Sequence, residues 1–338
     1  MKRLSKWLLF VVLLLAFLAA VAITFTIGWR PFIGPKARPL TARTFERTPQ
    51  RLERGSYIVT ALSDCMGCHS PHEWAAPGVP MVPGKEGAGE LMPTTDLPGR
   101  VVASNITPDP ETGAGLWTDD QLARAIREGI GHDGRALFPI MPYVLFRRMS
   151  DEDLASVVVY LRSLAPVRNP LPLTEIIFPV KYLIRGVPQP VTAPVPDLAP
   201  NSDLVTRGAY LVTMAACTNC HTPFDKGQDI PGMAFAGGFS LIGPWGTVAA
   251  ANITPDPSGI SYYDEALFLE MMRTGSVKAR KLSPLMPVWA FRNLTDDDLK
   301  AMFAYLRILK PVRHRVDNSE PPTFCKLCRQ KHGAGDQN

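Results

Sequence analysis

The longest apolar run, Trp7 to Ile27, holds twenty-one residues without a charge. That length crosses a bilayer core as a helix, and Lys2, Arg3 and Lys6 before it favour a cytoplasmic amino terminus. Everything after Gly28 is then expected outside the cytoplasm. A cleaved signal peptide is the competing reading, because Ala20-Val21-Ala22 offers a small-x-small site. Apolar residues continue past that site to Ile27, which favours an uncleaved anchor.

Past the anchor the hydrophobic pattern takes the helical period. Leu154, Val157, Val158, Leu161 and Leu164 form a stripe at i, i+3, i+4 and i+7, opened by Ser150-Asp151-Glu152-Asp153, which reads as a capping box. Leu299, Met302, Phe303, Leu306 and Leu309 repeat the stripe behind Thr295 to Asp298, and Thr118-Asp119-Asp120-Gln121 opens a further helix. Long Pro/Gly-rich loops separate these segments, so the expected class is mainly α, with small helical domains wrapped around a cofactor that replaces missing core.

The pattern also repeats. Arg54-Gly55-Ser56-Tyr57-Ile58-Val59-Thr60 returns as Arg207-Gly208-Ala209-Tyr210-Leu211-Val212-Thr213, and Asn105-Ile106-Thr107-Pro108-Asp109-Pro110 returns intact as Asn252 to Pro257. Met141 to Arg168 aligns without gaps to Met286 to Arg313 with fourteen of twenty-eight positions identical, which marks a tandem duplication. The expected organisation is an anchor over 1–28, a basic juxtamembrane linker over 29–50, a first domain over 51–168, a Pro-rich linker over 169–202, a second domain over 203–316 and a tail over 317–338. Eight prolines make the linker semi-rigid, and its apolar patch around Ile176-Ile177-Phe178, too interrupted to span a membrane, is expected to pack on a domain.

Composition refines the picture in one respect. The net charge of +5 suggests an acidic partner until it is divided by segment: residues 1–50 hold eight Lys/Arg and one acid, residues 51–170 total −4 and residues 203–316 total +2. The excess is juxtamembrane, so Arg30, Lys36, Arg38, Arg43 and Arg47 are expected near lipid headgroups, and nothing supports nucleic-acid binding.

The chemistry lies in Cys65-Met66-Gly67-Cys68-His69 and Cys217-Thr218-Asn219-Cys220-His221. Both are C-x-x-C-H, whose two thiols can each add to a haem vinyl group while the histidine is held under the iron. A disulfide, a zinc half-site or a thioredoxin-like dithiol would also use C-x-x-C, but equivalent motifs in two repeats downstream of an export segment favour two covalently attached haem c groups. Cys65, Cys68, Cys217 and Cys220 are then thioether anchors, and His69 and His221 proximal ligands.

For the opposite axial position the duplication filters the methionines. Met141-Pro142 aligns with Met286-Pro287, whereas Met92 corresponds to Phe239 and Met149 to Leu294. Met141 and Met286 are the expected distal ligands, with Met81 and Met233 as runners-up. His/Met ligation fills both axial positions, which favours electron transfer over binding of oxygen or peroxide. His72, His132, His314 and His332 are expected in surface or loop roles. Cys325-Lys326-Leu327-Cys328-Arg329 keeps the cysteine spacing but has arginine where the histidine should be. A local disulfide is the expectation there, with a metal half-site including His332 or a redox dithiol as alternatives, and the tail from His332 to Asn338 is expected to fray.

With these motifs in place the chain resembles the cytochrome c subunits of bacterial membrane-bound dehydrogenases, such as those serving alcohol and gluconate oxidation. The residues that carry the likeness are Asn105 to Pro110, Asp133-Gly134-Arg135-Ala136-Leu137, Met141-Pro142-Tyr143 and Asp151-Glu152-Asp153-Leu154. The resemblance implies a tandem pair of cytochrome c-like helical domains after the transmembrane helix, and it implies His69 with Met141, and His221 with Met286, as ligand pairs. Such subunits typically have three haem domains and this sequence shows two, so pairing with a flavin or quinoprotein dehydrogenase and direct quinone reduction are not carried over. The resulting expectation is a dihaem electron carrier rather than an enzyme, anchored in a bacterial inner membrane with its haem domains in the periplasm. It would serve redox partner proteins, as part of a membrane electron-transfer complex. A dihaem peroxidase and a docking subunit of a larger complex are the rival readings.

Overall fold

The computed structural model describes residues 2–76 and 78–338. Helix α1 (Lys2–Phe25) is apolar on all sides and none of it is buried against the rest of the protein. Among the described residues it is the one helix long and apolar enough to cross a membrane.

The remainder is mainly helical, and its elements come twice in the same order. In the first copy α2 (Pro49–Tyr57) runs through a widened turn at Ile58–Leu62 into the short α3 (Cys65–His69). Then follow α4 (Asp119–Glu128), the one-turn α5 (Tyr143–Phe146) and α6 (Asp151–Ser163). The second copy has α7 (Leu204–Met214), α8 (Cys217–His221), α9 (Glu265–Thr274), α10 (Val288–Phe291) and α11 (Asp296–Arg307). Only two-stranded antiparallel pairs join them among the described residues.

The duplicated Arg-Gly-x-Tyr segment acquires a reason here. Helix α2 crosses α6, and α7 crosses α11, with glycine at each contact. A Cβ on Gly55 would stand 2.1 Å from the Ser156 carbonyl oxygen, and one on Gly208 would stand 1.9 Å from that of Ala301. Any side chain there forces the backbones apart.

The caps follow the sequence with one difference. Thr118 and Gln121 form the full reciprocal box at the start of α4. Ser150 and Thr295 accept from the backbone N–H of Asp153 and Asp298, but those aspartates do not reach back. They form ion pairs with the helices they cross: Arg54 to Asp153 at 2.7 Å and Arg207 to Asp298 at 2.6 Å.

The same two carboxylates join the copies. Tyr57 of the first copy donates to Asp298 of the second at 2.5 Å, and Tyr210 of the second donates to Asp153 of the first at 2.6 Å. Each phenol oxygen also accepts a backbone N–H at the opposite cap, from Thr295 and Ser150 respectively. The one-turn helices are likewise exchanged, α5 packing on α7 and α10 on the Ile58–Leu62 turn. One continuous apolar core therefore runs through both copies, from Ile58, Leu62, Leu154 and Val158 to Leu211, Met271, Leu299 and Met302.

Three expectations need correction. Arg38 does not lie free for lipid: it pairs with Asp120 and Glu128 of α4 and is only 11% exposed at its side chain, so carboxylates inside the protein claim it. The tail is not frayed, since Pro322–Phe324 pairs with Lys331–Gly333 and Gly335–Gln337 adds a further turn. His314 and His332 are 0% and 2% exposed, not surface residues. His132 is exposed beside Trp117, whereas His72 is buried and faces Glu90. In the Pro-rich segment, Glu175–Ile176 pairs with Gly99–Arg100, and Val180–Leu183 rests on the short helix Arg30–Ile33 beyond the end of α1. Phe178 stays exposed.

Candidate functional site

Each C-x-x-C-H motif occupies a single helical turn, α3 or α8, so its two thiols at i and i+3 share one face. The residue before each turn, Asp64 at φ 43° and Ala216 at φ 51°, is left-handed, which reverses the chain as it leaves the preceding helix. Asp64 also caps α3 through the Gly67 N–H. Cys65 and Cys217 are half-buried, and Cys68 and Cys220 are exposed.

The histidines are held alike. His69 Nδ1 lies 2.6 Å from the Ser104 carbonyl oxygen and His221 Nδ1 lies 2.7 Å from that of Ala251. A carbonyl can only accept, so Nδ1 carries the proton in both and Nε2 is left as the metal-binding nitrogen. Burial lowers both imidazoles below the usual histidine value, against the opposing pull of the carbonyls, and so keeps them in the neutral, ligating form.

The repeated Asn-Ile-Thr-Pro segment explains how those carbonyls stay in place. Ser104 and Ala251 directly precede Asn105 and Asn252. The Asn105 amide accepts from the backbone and hydroxyl of Thr107 and donates to the Val167 carbonyl at 2.7 Å. Asn252 makes the same bonds to Thr254 and, at 2.8 Å, to Val312. Each loop is thereby fixed to the chain leaving the last helix of its copy, and the motif histidine inherits that rigidity.

Met141 and Met286 occupy equivalent turns just before α5 and α10. Each is half-buried against the core, with Met141 N–H bonded to Phe138 and Met286 N–H to Ser283. Met149 and its counterpart Leu294 are both 1% exposed and fill core. Met81 packs beside the bridge it makes with His72, and Met233 lies against Cys325 and Cys328.

The first motif lies at the junction of the copies. Trp289 of the second copy donates to Asp64 of the first at 3.4 Å and its ring lies near His72.

A family model described as cytochrome c matches residues 205–310. Over 264 residues, 75% of its length, the chain is 30% identical to a protein of Cereibacter sphaeroides named diheme cytochrome c-type and covers 84% of it. The chain belongs to the cytochrome c family. It is also 32% identical over 83% of its length to a nicotinate dehydrogenase subunit of Pseudomonas putida, and 30% identical over 80% to the cytochrome c subunit of a quinone alcohol dehydrogenase of Komagataeibacter europaeus. It spans 23% and 58%, respectively, of those two relatives.

As a cytochrome c it carries covalently bound haem c and works in electron transfer. The donor set fits that group: paired thiols on one helical turn, a following imidazole with Nδ1 committed to a carbonyl, and a sulfur side chain at an equivalent turn of each copy. The sequence alone does not reveal Ser104, Ala251, Asp64 or Trp289 as parts of the site. Only the repetition of Asn-Ile-Thr-Pro signals the first two.

Proposed function

We propose that the chain is a membrane-anchored dihaem cytochrome c that relays single electrons between a donor and an acceptor. Residues 51–168 and 203–316 form one haem domain each. Cys65, Cys68, Cys217 and Cys220 are the thioether anchors, His69 and His221 the proximal ligands, and Met141 and Met286 the distal ligands. Bound haem supplies the one-electron iron chemistry. The protein's residues fix the ring orientation of each histidine, exclude water from the core side and hold the two copies together.

The observation that carries this reading is the recurrence of one arrangement in both copies, a C-x-x-C-H turn whose histidine Nδ1 is committed to a carbonyl, in copies joined by reciprocal contacts. Two equivalent anchoring turns in copies that share one apolar core favour passage between two centres in one body. Low-temperature EPR with near-infrared magnetic circular dichroism of the oxidised protein tests it: two low-spin His/Met centres are expected. A high-spin haem accompanied by peroxide turnover would establish an enzyme instead.

α1 is the proposed single-pass anchor in a bacterial inner membrane, with both haem domains in the periplasm and redox subunits as partners. The subunit names of the relatives support partners of that kind. Protease added to intact spheroplasts should digest the haem domains, and gentle detergent extraction should recover a complex. Protection of both domains, or recovery of a lone monomer, would contradict these two points respectively.

A further inference from the structure

The third C-x-x-C has no haem histidine, and its sulfurs are not bonded to each other. Cys325 and Cys328 are each 0% exposed and meet two buried histidines from different segments, His314 and His332. The donor atoms of all four residues lie within 4.8 Å of one another. His314 Nε2 is 3.4 Å from Cys325 Sγ and 3.1 Å from His332 Nε2. Tetrahedral zinc takes thiolate sulfur at about 2.3 Å and imidazole nitrogen at about 2.0–2.1 Å, which sets donor separations of roughly 3.3–3.8 Å.

The second nitrogen of each ring is already committed. His314 Nδ1 donates to the Ala236 carbonyl at 2.8 Å and His332 Nδ1 to that of Gly333 at 2.9 Å. Both Nε2 atoms therefore present lone pairs, and they present them to each other. A shared proton would place a cation among fully buried side chains, whereas a metal ion between them satisfies both. Two thiolates balance a divalent ion, so the whole assembly is neutral and tolerates burial. Asn338 Nδ2 adds a donor to Cys325 Sγ at 3.0 Å, as outer partners of thiolate sites do.

The duplication shows what was modified. Position 314 corresponds to Asn169, whose amide donates to the Ala88 carbonyl at 2.9 Å, just as His314 donates to Ala236. The brace is common to both copies. Imidazole in the second copy keeps it and leaves one nitrogen free to face the tail.

We propose that His314, Cys325, Cys328 and His332 bind one structural zinc ion, clamping the C-terminal tail onto the second haem domain. All four positions are filled by protein, so the site is closed and has no place for substrate. The clamp reaches the haem side through one short path. Ala236 adjoins Gly237, whose N–H donates to the carbonyl of His221 at 2.7 Å.

The test uses the full-length, haem-loaded protein purified in detergent without chelators. Elemental analysis should find one zinc per chain beside the haem iron, and zinc K-edge absorption should show two sulfurs and two nitrogens at the distances above. Zinc is an element haem does not contain, so its edge is read without interference. His332→Gln should lose zinc on desalting while both haems remain attached, and Cys325→Ser/Cys328→Ser should do the same if it folds. The idea is overturned by a Cys325–Cys328 disulfide in protein that takes up no zinc even after reduction and zinc addition. It is equally overturned by zinc with an oxygen-rich shell lacking sulfur, or by zinc retained in His332→Gln with its shell unchanged.

Discussion

The Arg38 guanidinium closes on the Asp120 carboxylate with two nitrogens, Nη2 to Oδ1 at 2.6 Å and Nη1 to Oδ2 at 2.8 Å, while its Nε reaches Glu128 at 2.7 Å. The backbone and hydroxyl of Thr41 add two further bonds to the same carboxylate. The chain between α1 and α2 is thus tied to α4 by a buried ion cluster. Arg38→Met takes the close cation from two buried carboxylates, leaving Asp120 only the looser Arg43 at 3.8 Å, and should cost about 3 kcal/mol in denaturant unfolding.

The same cluster sets an acid limit. Burial alone would raise the Asp120 carboxyl, but the bonds and charge of Arg38 and the Thr41 N–H outweigh it and hold the group at about 2. A folded value below the unfolded one, about 3.9, means stability present above pH 4 and lost as pH falls from there towards 2. Acid unfolding followed by circular dichroism should show that loss in the native protein and a smaller slope over this window in Arg38→Met.

Tyr57→Phe and Tyr210→Phe each remove two bonds between the copies, the donation to the aspartate and the acceptance of the cap N–H, and should each cost about 2 kcal/mol. The carboxylates keep their arginines, so folding survives. The double variant should show a broadened or split unfolding transition, because the two domains then uncouple. A single sharp transition at the sum of the two costs would show that the apolar contact alone couples them.

Gly208→Ala places a methyl group against the Ala301 carbonyl and should destabilise the second domain by about 3 kcal/mol. The first domain has its own crossing at Gly55 and should still incorporate haem. Pyridine haemochrome analysis should fall towards one haem per chain.

Met141→Ala and Met286→Ala should each remove half of the methionine-ligated near-infrared signal and leave the other half unchanged. Loss of neither, or of both together, would place the distal ligands elsewhere.

Asp64 supplies a second pH effect, of opposite sign. Burial raises its carboxyl to about 7, against the Trp289 and Gly67 bonds and His72. The folded state therefore holds the proton that the unfolded state has released, and stability falls as pH rises from about 4 to 7. An asparagine side chain would still cap α3, so Asp64→Asn should remove that slope with little change elsewhere, measured as denaturation midpoints across the same range.

Much of this protein is legible in its sequence because its chemistry is local. Two thiols and a histidine on one helical turn declare themselves in five residues, and the capped stripes behind Ser150 and Thr295 follow the helical period. Duplication adds what periodicity cannot, pairing Met141 with Met286 where Met149 has only Leu294 as its counterpart. What escapes is pairing between distant positions. Nothing beside Arg38 records that Asp120, eighty-two residues on, will face it. The gapless repeat ends at Arg168 and Arg313, one residue short of Asn169 and His314, the substitution that brings an imidazole to the tail cysteines. The tail's histidine and glycines have the composition of a loose end, and only neighbours from other segments give them a core.

The exchanged tyrosines have a further consequence. A surface that offers a phenol and receives one at matching positions is complementary to itself, so a single repeat carrying it is equipped to pair with its own twin. The chain is in that sense a homodimer with a covalent tether. Fusion freed its two halves to diverge separately without losing the fit between them.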